Sequence, residues 1–149
     1  MGNALNTARH AIWNDTMKGV IKKVEETVAL ADFTDGTSTS GTYTFTAKIP
    51  AASLVLGTKA VVTTGFTSAS DTSTCVMTVG DGSTADLWGV TMVVKTAATV
   101  GCAAKYASNV AVPFCATDTA PVLTVTEDSD FGQLTSGEMT VAVYYIELN

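Results

Sequence analysis

Few of the 149 residues carry groups suited to acid–base, nucleophilic or metal chemistry, and those few are scattered. The single histidine, His10, falls in the N-terminal segment. A Ser-His-Asp triad would need that ring held by rigid neighbours, and the periodicity of the segment is explained without any such role. Carboxylates cluster twice, as Asp81 with Asp86 and as Glu127, Asp128 and Asp130. A pair across a cleft is what glycosidases use, and a cluster suits a hard cation such as calcium. Both groups, however, sit among glycines, serines and threonines, where Asp is a turn former. The stretch Gly80–Asp86 (GDGSTAD) also lacks the ligand spacing and closing Glu of an EF-hand. Cys75, Cys102 and Cys115 have no CxxC spacing, so free buried thiols are expected rather than zinc ligands. No Walker A, GxGxxG or HExxH pattern occurs. The expectation is a protein that is not an enzyme, with no cofactor and no metal. Trp88, Tyr144 and Tyr145 could line a sugar-binding face, but at strand spacing they more often serve as core or interface residues.

Composition fits that expectation. Hydrophobic residues make up 46% of the chain and charged residues 15%, against roughly 25% charged in ordinary soluble domains. A Thr-rich, charge-poor chain with turn residues throughout reads as all-β. Its surface suits a protein partly covered by neighbours. The net charge is −6, unevenly spread. Residues 1–31 hold four basic against three acidic side chains, while residues 32–149 hold four lysines against eleven carboxylates. An acidic body argues against nucleic acid, which needs a basic face. No apolar run approaches the roughly 20 residues that span a membrane, and the N-terminus lacks a signal-peptide core. The expected origin is therefore a cytoplasm.

Two regions follow from periodicity. In residues 1–19, Leu5, Ala8, Ile12, Trp13 and Met17 recur at steps of three and four, the adjacent pair Ile12–Trp13 excepted, an amphipathic helical stripe. Asn3 could cap it and Gly19 would weaken it. So short a helix needs a surface to lie on, either its own domain or a partner. From Lys22 the period becomes two, and residues 20–149 read as one β-sandwich or jelly-roll domain of about eight antiparallel strands.

The expected strands run as follows. The first is at about 22–31, with Val24, Glu26 and Val28 on one face. The second is Thr42–Ile49, with Tyr43, Phe45, Ala47 and Ile49 aligned, stopped by Pro50. After a corner at Ala51–Ser53 comes a strand with Ala60, Val62, Thr64 and Phe66 on one face. Cys75–Val79 and Trp88–Thr96 follow, the latter with Val90, Met92 and Val94 inward. Ala97–Ala107 is ambiguous. Val110–Cys115, which contains Pro113, is an edge strand at most. Pro121–Glu127 and Glu138–Leu148 complete the set, with Glu127–Gly137 as an acidic loop. The last strand is apolar on both faces: Val141, Val143 and Tyr145 on one, Ala142, Tyr144 and Ile146 on the other. This points to a subunit interface or to cover from the N-terminal helix.

The pieces Ile49–Gly57 (IPAASLVLG), Lys59–Phe66 (KAVVTTGF), Val79–Asp86 (VGDGSTAD) and Ser136–Tyr145 (SGEMTVAVYY) resemble, in pattern and order, small β-sandwich virion proteins of tailed bacteriophages. The resemblance spans most of residues 22–148 and contains no catalytic motif. It implies a capsid decoration or cement protein, made in the host cytoplasm and carried on the capsid surface of the virion. Its implied partners are the major capsid protein and neighbouring decoration subunits, and its implied state is a homotrimer. The alternative is a carbohydrate-binding or host-attachment module of a tail or neck. On the first reading Leu5, Ile12, Trp13, Met17, Tyr144 and Tyr145 are the expected interface residues, and residues 1–19 are an arm that grips an adjacent protein.

Overall fold

The computed structural model describes residues 21–36, 38–68, 74–104 and 113–148. Residues 1–20, including the expected interface positions Leu5, Ile12, Trp13 and Met17, lie outside the described residues.

Among the described residues there are ten strands: β1 (Ile21–Ala29), β2 (Thr34–Asp35), β3 (Ser40–Thr44), β4 (Ser53–Ser68), β5 (Cys75–Gly80), β6 (Gly89–Val93), β7 (Ala98–Ala103), β8 (Phe114–Cys115), β9 (Val122–Glu127) and β10 (Leu134–Glu147). They form two antiparallel sheets. Sheet I has the order β1-β10-β4-β7, with β8 also pairing β4; sheet II has the order β2-β3-β9-β5-β6. The all-β, sandwich-like architecture is the one expected from the alternating period.

Alternation explains the core. Sheet I sends Val24, Val28, Val55, Ala60, Val62, Met139, Val141, Val143 and Tyr145 inward, and sheet II sends Cys75, Met77, Val79, Leu123 and Val125. Each of these is nearly or fully buried, as two sheets must each cover one face. Trp88 and Val94 flank β6 and close the same layer. One end is sealed by rings: Phe33 lies 5.8 Å from Phe66, 5.9 Å from Phe131 and 6.0 Å from Tyr43, centroid to centroid. Phe131 sits directly on Gly41 of β3, where a Cβ would come within 2.3 Å of the ring. Only a glycine leaves room for it.

Glu26 shows how a charge survives on an inward position of β1. Its carboxylate accepts the Tyr43 hydroxyl at 2.7 Å and the Ala47 N–H at 2.8 Å, tying sheet I to the chain leaving β3. Charge-assisted bonds of this kind offset desolvation. The same carboxylate raises the Tyr43 phenol above its ordinary range, chiefly through that hydrogen bond.

Several boundaries differ from the sequence expectation. The second expected strand stops at Thr44, and Ala47 is exposed, because the Ala47 amide turns to Glu26 instead of joining a ladder. Ile49 is still buried, through an isolated bridge to Thr119. β4 begins at Ser53, just past the corner, where Ala52 has φ of 58°. The corner residues of the expectation thus lead straight into a 16-residue strand. Val90, expected inward, is 37% exposed, because a register shift in the β5–β6 pairing sets Gly89 opposite Val79 and Met92 opposite Met77, so the inward phase changes between them. The ambiguous Ala97–Ala107 stretch supplies β7, held by β4 from Gly57 to Val62. β10 starts four residues before the expected Glu138, because Leu134 and Ser136 already pair with Ser68 and Thr67.

Candidate functional site

The carboxylate clusters serve the turns that hold them. Asp81 accepts the N–H groups of Ser83 (2.9 Å) and Thr84 (2.7 Å). Asp130 accepts the Gly132 N–H at 3.0 Å and so caps the short turn carrying Phe131. Glu127 is buried and accepts the Ser129 hydroxyl. Among the described residues, no three metal-ligating side chains converge. Cys75, Cys102 and Cys115 are free. Burial first, then the nearby Glu127 and Asp128 charges, pushes the Cys75 thiol up to about 12; burial likewise raises Cys115.

The aromatic candidates separate. Trp88 is 1% exposed, and its backbone is fixed at both polar ends: its N–H donates to the Val79 carbonyl at 2.8 Å, and its carbonyl accepts the Thr58 hydroxyl at 3.1 Å. Its ring is core and offers no platform to a sugar. Tyr145 is buried on the inner face of β10, whereas Tyr144 is half-buried on the outer face.

The surfaces left to act are the outer faces of the two sheets, and they differ in kind. On sheet II the outward positions of β3, β9 and β5 hold only hydroxyl and small aliphatic side chains. Thr42, Thr124 and Thr78 form one row across three strands; Ser40, Thr126, Val76 and Val93 form the next. No charged residue stands on the outward positions of these three strands. The low charge of the composition is therefore concentrated into one continuous face. Sequence reasoning missed this face, although the alternating threonines of β3 and β9 were visible, because which strands lie side by side is a tertiary fact.

The outer face of sheet I is graded. One row reads Thr27–Thr140–Val61–Thr99, with a 2.9 Å hydrogen bond between the first two hydroxyls. The next holds Glu25–Ala142–Lys59–Gly101, and the next Lys23–Tyr144–Gly57–Ala103. The end row, Ile21–Ile146–Leu54–Phe114, is entirely apolar. Beside it lies an open groove of about 300 Å³ lined by Ile21, Leu56, Gly57, Thr58, Cys102 and Tyr144. The groove exists because β4 carries an extra residue there: Tyr144 pairs with Gly57 and Tyr145 with Val55, leaving Leu56 unpaired in a bulge. Gly57 is required at that point, since a Cβ would meet the Cys102 carbonyl oxygen at 2.4 Å.

No protein-family model matches the chain, and no curated protein matches it. Among solved structures, the fold is similar to a chain of the cyanophage Pam1 capsid asymmetric unit, with a TM-score of 0.57 and 18% sequence identity over 85% of this chain and 84% of that one. The two-sheet architecture described above is thus shared with a chain found in a phage capsid.

Proposed function

We propose that the protein is a non-enzymatic structural component of a phage virion, a decoration or cement protein that assembles as a homotrimer on the capsid surface and braces neighbouring major capsid proteins. The observation that carries this reading is the uncharged outer face of sheet II. A surface of Thr, Ser and Val can be covered by a partner at small desolvation cost, because a hydroxyl finds a backbone partner readily and a buried charge does not. The likeness in fold to a chain of the Pam1 capsid asymmetric unit supports the setting, as does the resemblance in sequence pattern to phage virion proteins. The interior position of Trp88 removes the strongest support for a carbohydrate-binding module.

On this reading the sheet II face meets the shell. The test is co-sedimentation with particles of the encoding phage from which the protein has been stripped. Replacing Thr42 and Thr124 by lysine should abolish rebinding, while Thr140→Lys on the opposite sheet should leave it intact. Rebinding by the Thr42→Lys/Thr124→Lys protein at full affinity would remove the sheet II face from the contact. Absence of the chain from mass spectra of purified virions would remove the function itself.

A further inference from the structure

The apolar end of the sheet I outer face has no cover among the described residues: Ile21 is 50% exposed and Phe114 49%, and Leu148, just past β10, is 57% exposed. These three surround the half-buried Tyr144, Ile146 and Leu54. Scattered exposed apolar residues are ordinary, but a contiguous patch beside a groove marks a contact. We propose that this patch is the docking surface for residues 5–17 of the same chain, whose Leu5, Ile12, Trp13 and Met17 stripe lies across the row from Phe114 to Ile21. The proposal is independent of the capsid reading. It settles in favour of the chain's own domain the choice that the sequence left open.

Three observations point to this occupant. The first is continuity: the segment joins the described chain at Ile21, and Ile21 is itself the terminal residue of the apolar row. The second is length. Twelve helical steps from Leu5 to Met17 cover about 18 Å, and a row across four adjacent strands covers three spacings, about 14 Å. A helix laid across the strands therefore spans the row once, with its apolar side chains reaching just past both ends. The three residues 18–20, including Gly19, remain to turn the chain into β1. The third is chemistry: the groove beside Tyr144 is lined almost wholly by apolar and small side chains, a fit for a large apolar anchor such as Trp13. A tether of a few residues gives the segment an effective concentration on the order of millimolar at its own patch, well above what a second copy reaches in dilute solution.

The full-length protein allows a direct measurement, because Trp88 is sealed in the core and quenching by aqueous iodide reports Trp13 alone. Iodide should quench Trp13 weakly in the native protein. Quenching should rise several-fold, to the level of a synthetic peptide of residues 1–20, in Phe114→Thr/Ile146→Thr. Met17→Ser on the segment itself should raise it in the same direction without touching the sheet. Which chain docks is read by a short bismaleimide on Leu5→Cys/Ala103→Cys/Cys102→Ser, since Ala103 is exposed on the outer face at the Phe114 side of the sheet while Cys75 and Cys115 are buried. The expected product is a 5–103 link at monomer mass. A 5–103 link at dimer mass would show that the segment is exchanged between copies. Native quenching already at the peptide level would show that it docks nowhere on the sandwich. Either result overturns the proposal.

Discussion

Phe131 and Gly41 provide the sharpest test of how the sandwich is closed. Gly41→Ala places a methyl group 2.3 Å from two atoms of the Phe131 ring and 2.7 Å from a third. The ring has little room to tilt aside, because Phe33 stands 5.9 Å away, centroid to centroid, and Phe131 is only 4% exposed. The substitution therefore expels the ring or strains the strand. Phe131→Ala leaves a cavity instead, a loss of about 3 kcal/mol. Expulsion of the ring sets a ceiling on the cost of Gly41→Ala, so that variant should lose about 2–3 kcal/mol. In the double variant the new methyl group enters the space the ring has left, and the strand loses a flexible glycine. The pair should then cost about 3 kcal/mol where independent effects would add to about 5–6 kcal/mol, a coupling of at least about 2 kcal/mol. Urea unfolding at one fixed protomer concentration measures it. With a slope of about 2 kcal/mol/M, each single variant should lower the midpoint by about 1–1.5 M and the double variant by no more than Phe131→Ala alone. Additive losses would refute the direct contact and the role given to Gly41.

Glu26→Ala should lower stability by about 1–2 kcal/mol by removing the acceptor of the part-buried Tyr43 hydroxyl and of the exposed Ala47 amide, whereas Tyr43→Phe should lose about half as much; equal unfolding midpoints for wild type and Glu26→Ala would refute the clamp. Cys75 carries a pH signature. Its thiol is held up to about 12 in the folded protein against 9.0 in the unfolded chain, so the native state favours the protonated form. The contribution is fully present below pH 9 and is lost progressively as pH rises from 9 towards 12. The melting temperature of wild type should therefore fall faster above pH 9 than that of Cys75→Val, and parallel curves would count against a buried thiol. All three thiols should be countable in denaturant without reductant, and in the native protein Cys102 should react ahead of Cys75 and Cys115; a count of one would reveal a disulfide. Light scattering at micromolar concentration should give a trimer mass, and a monomer mass would sink the oligomer proposed here.

Much of the fold was legible because a strand writes its burial into a period of two. Val24 and Val28, Cys75, Met77 and Val79, and Val141, Val143 and Tyr145 all lie inward as their alternation predicts. The Asp-Gly pair at 81–82 marks a real strand boundary, where the chain turns just past Gly80, whereas the strand expected to run to Pro50 ends at Thr44. Where local and tertiary demands conflicted, the tertiary structure decided. Ala47 continues a perfect alternation, yet its amide is drawn to Glu26, 21 residues away in sequence. Val90 lies two residues from Met92 but is exposed, because the irregular β5–β6 register sets both Gly89 and Met92 inward. Alternation put Tyr144 and Tyr145 on opposite faces of β10, but only the packing of the two sheets decided that Tyr145 is the one in the core. The surfaces depended on neighbours most of all. That Thr42, Thr124 and Thr78 make one uncharged row, and that Ile21, Ile146, Leu54 and Phe114 make one apolar row, follows from pairings between strands up to 125 residues apart. Periodicity assigns a side chain to a face, but only the closed sheets say which side chains share it.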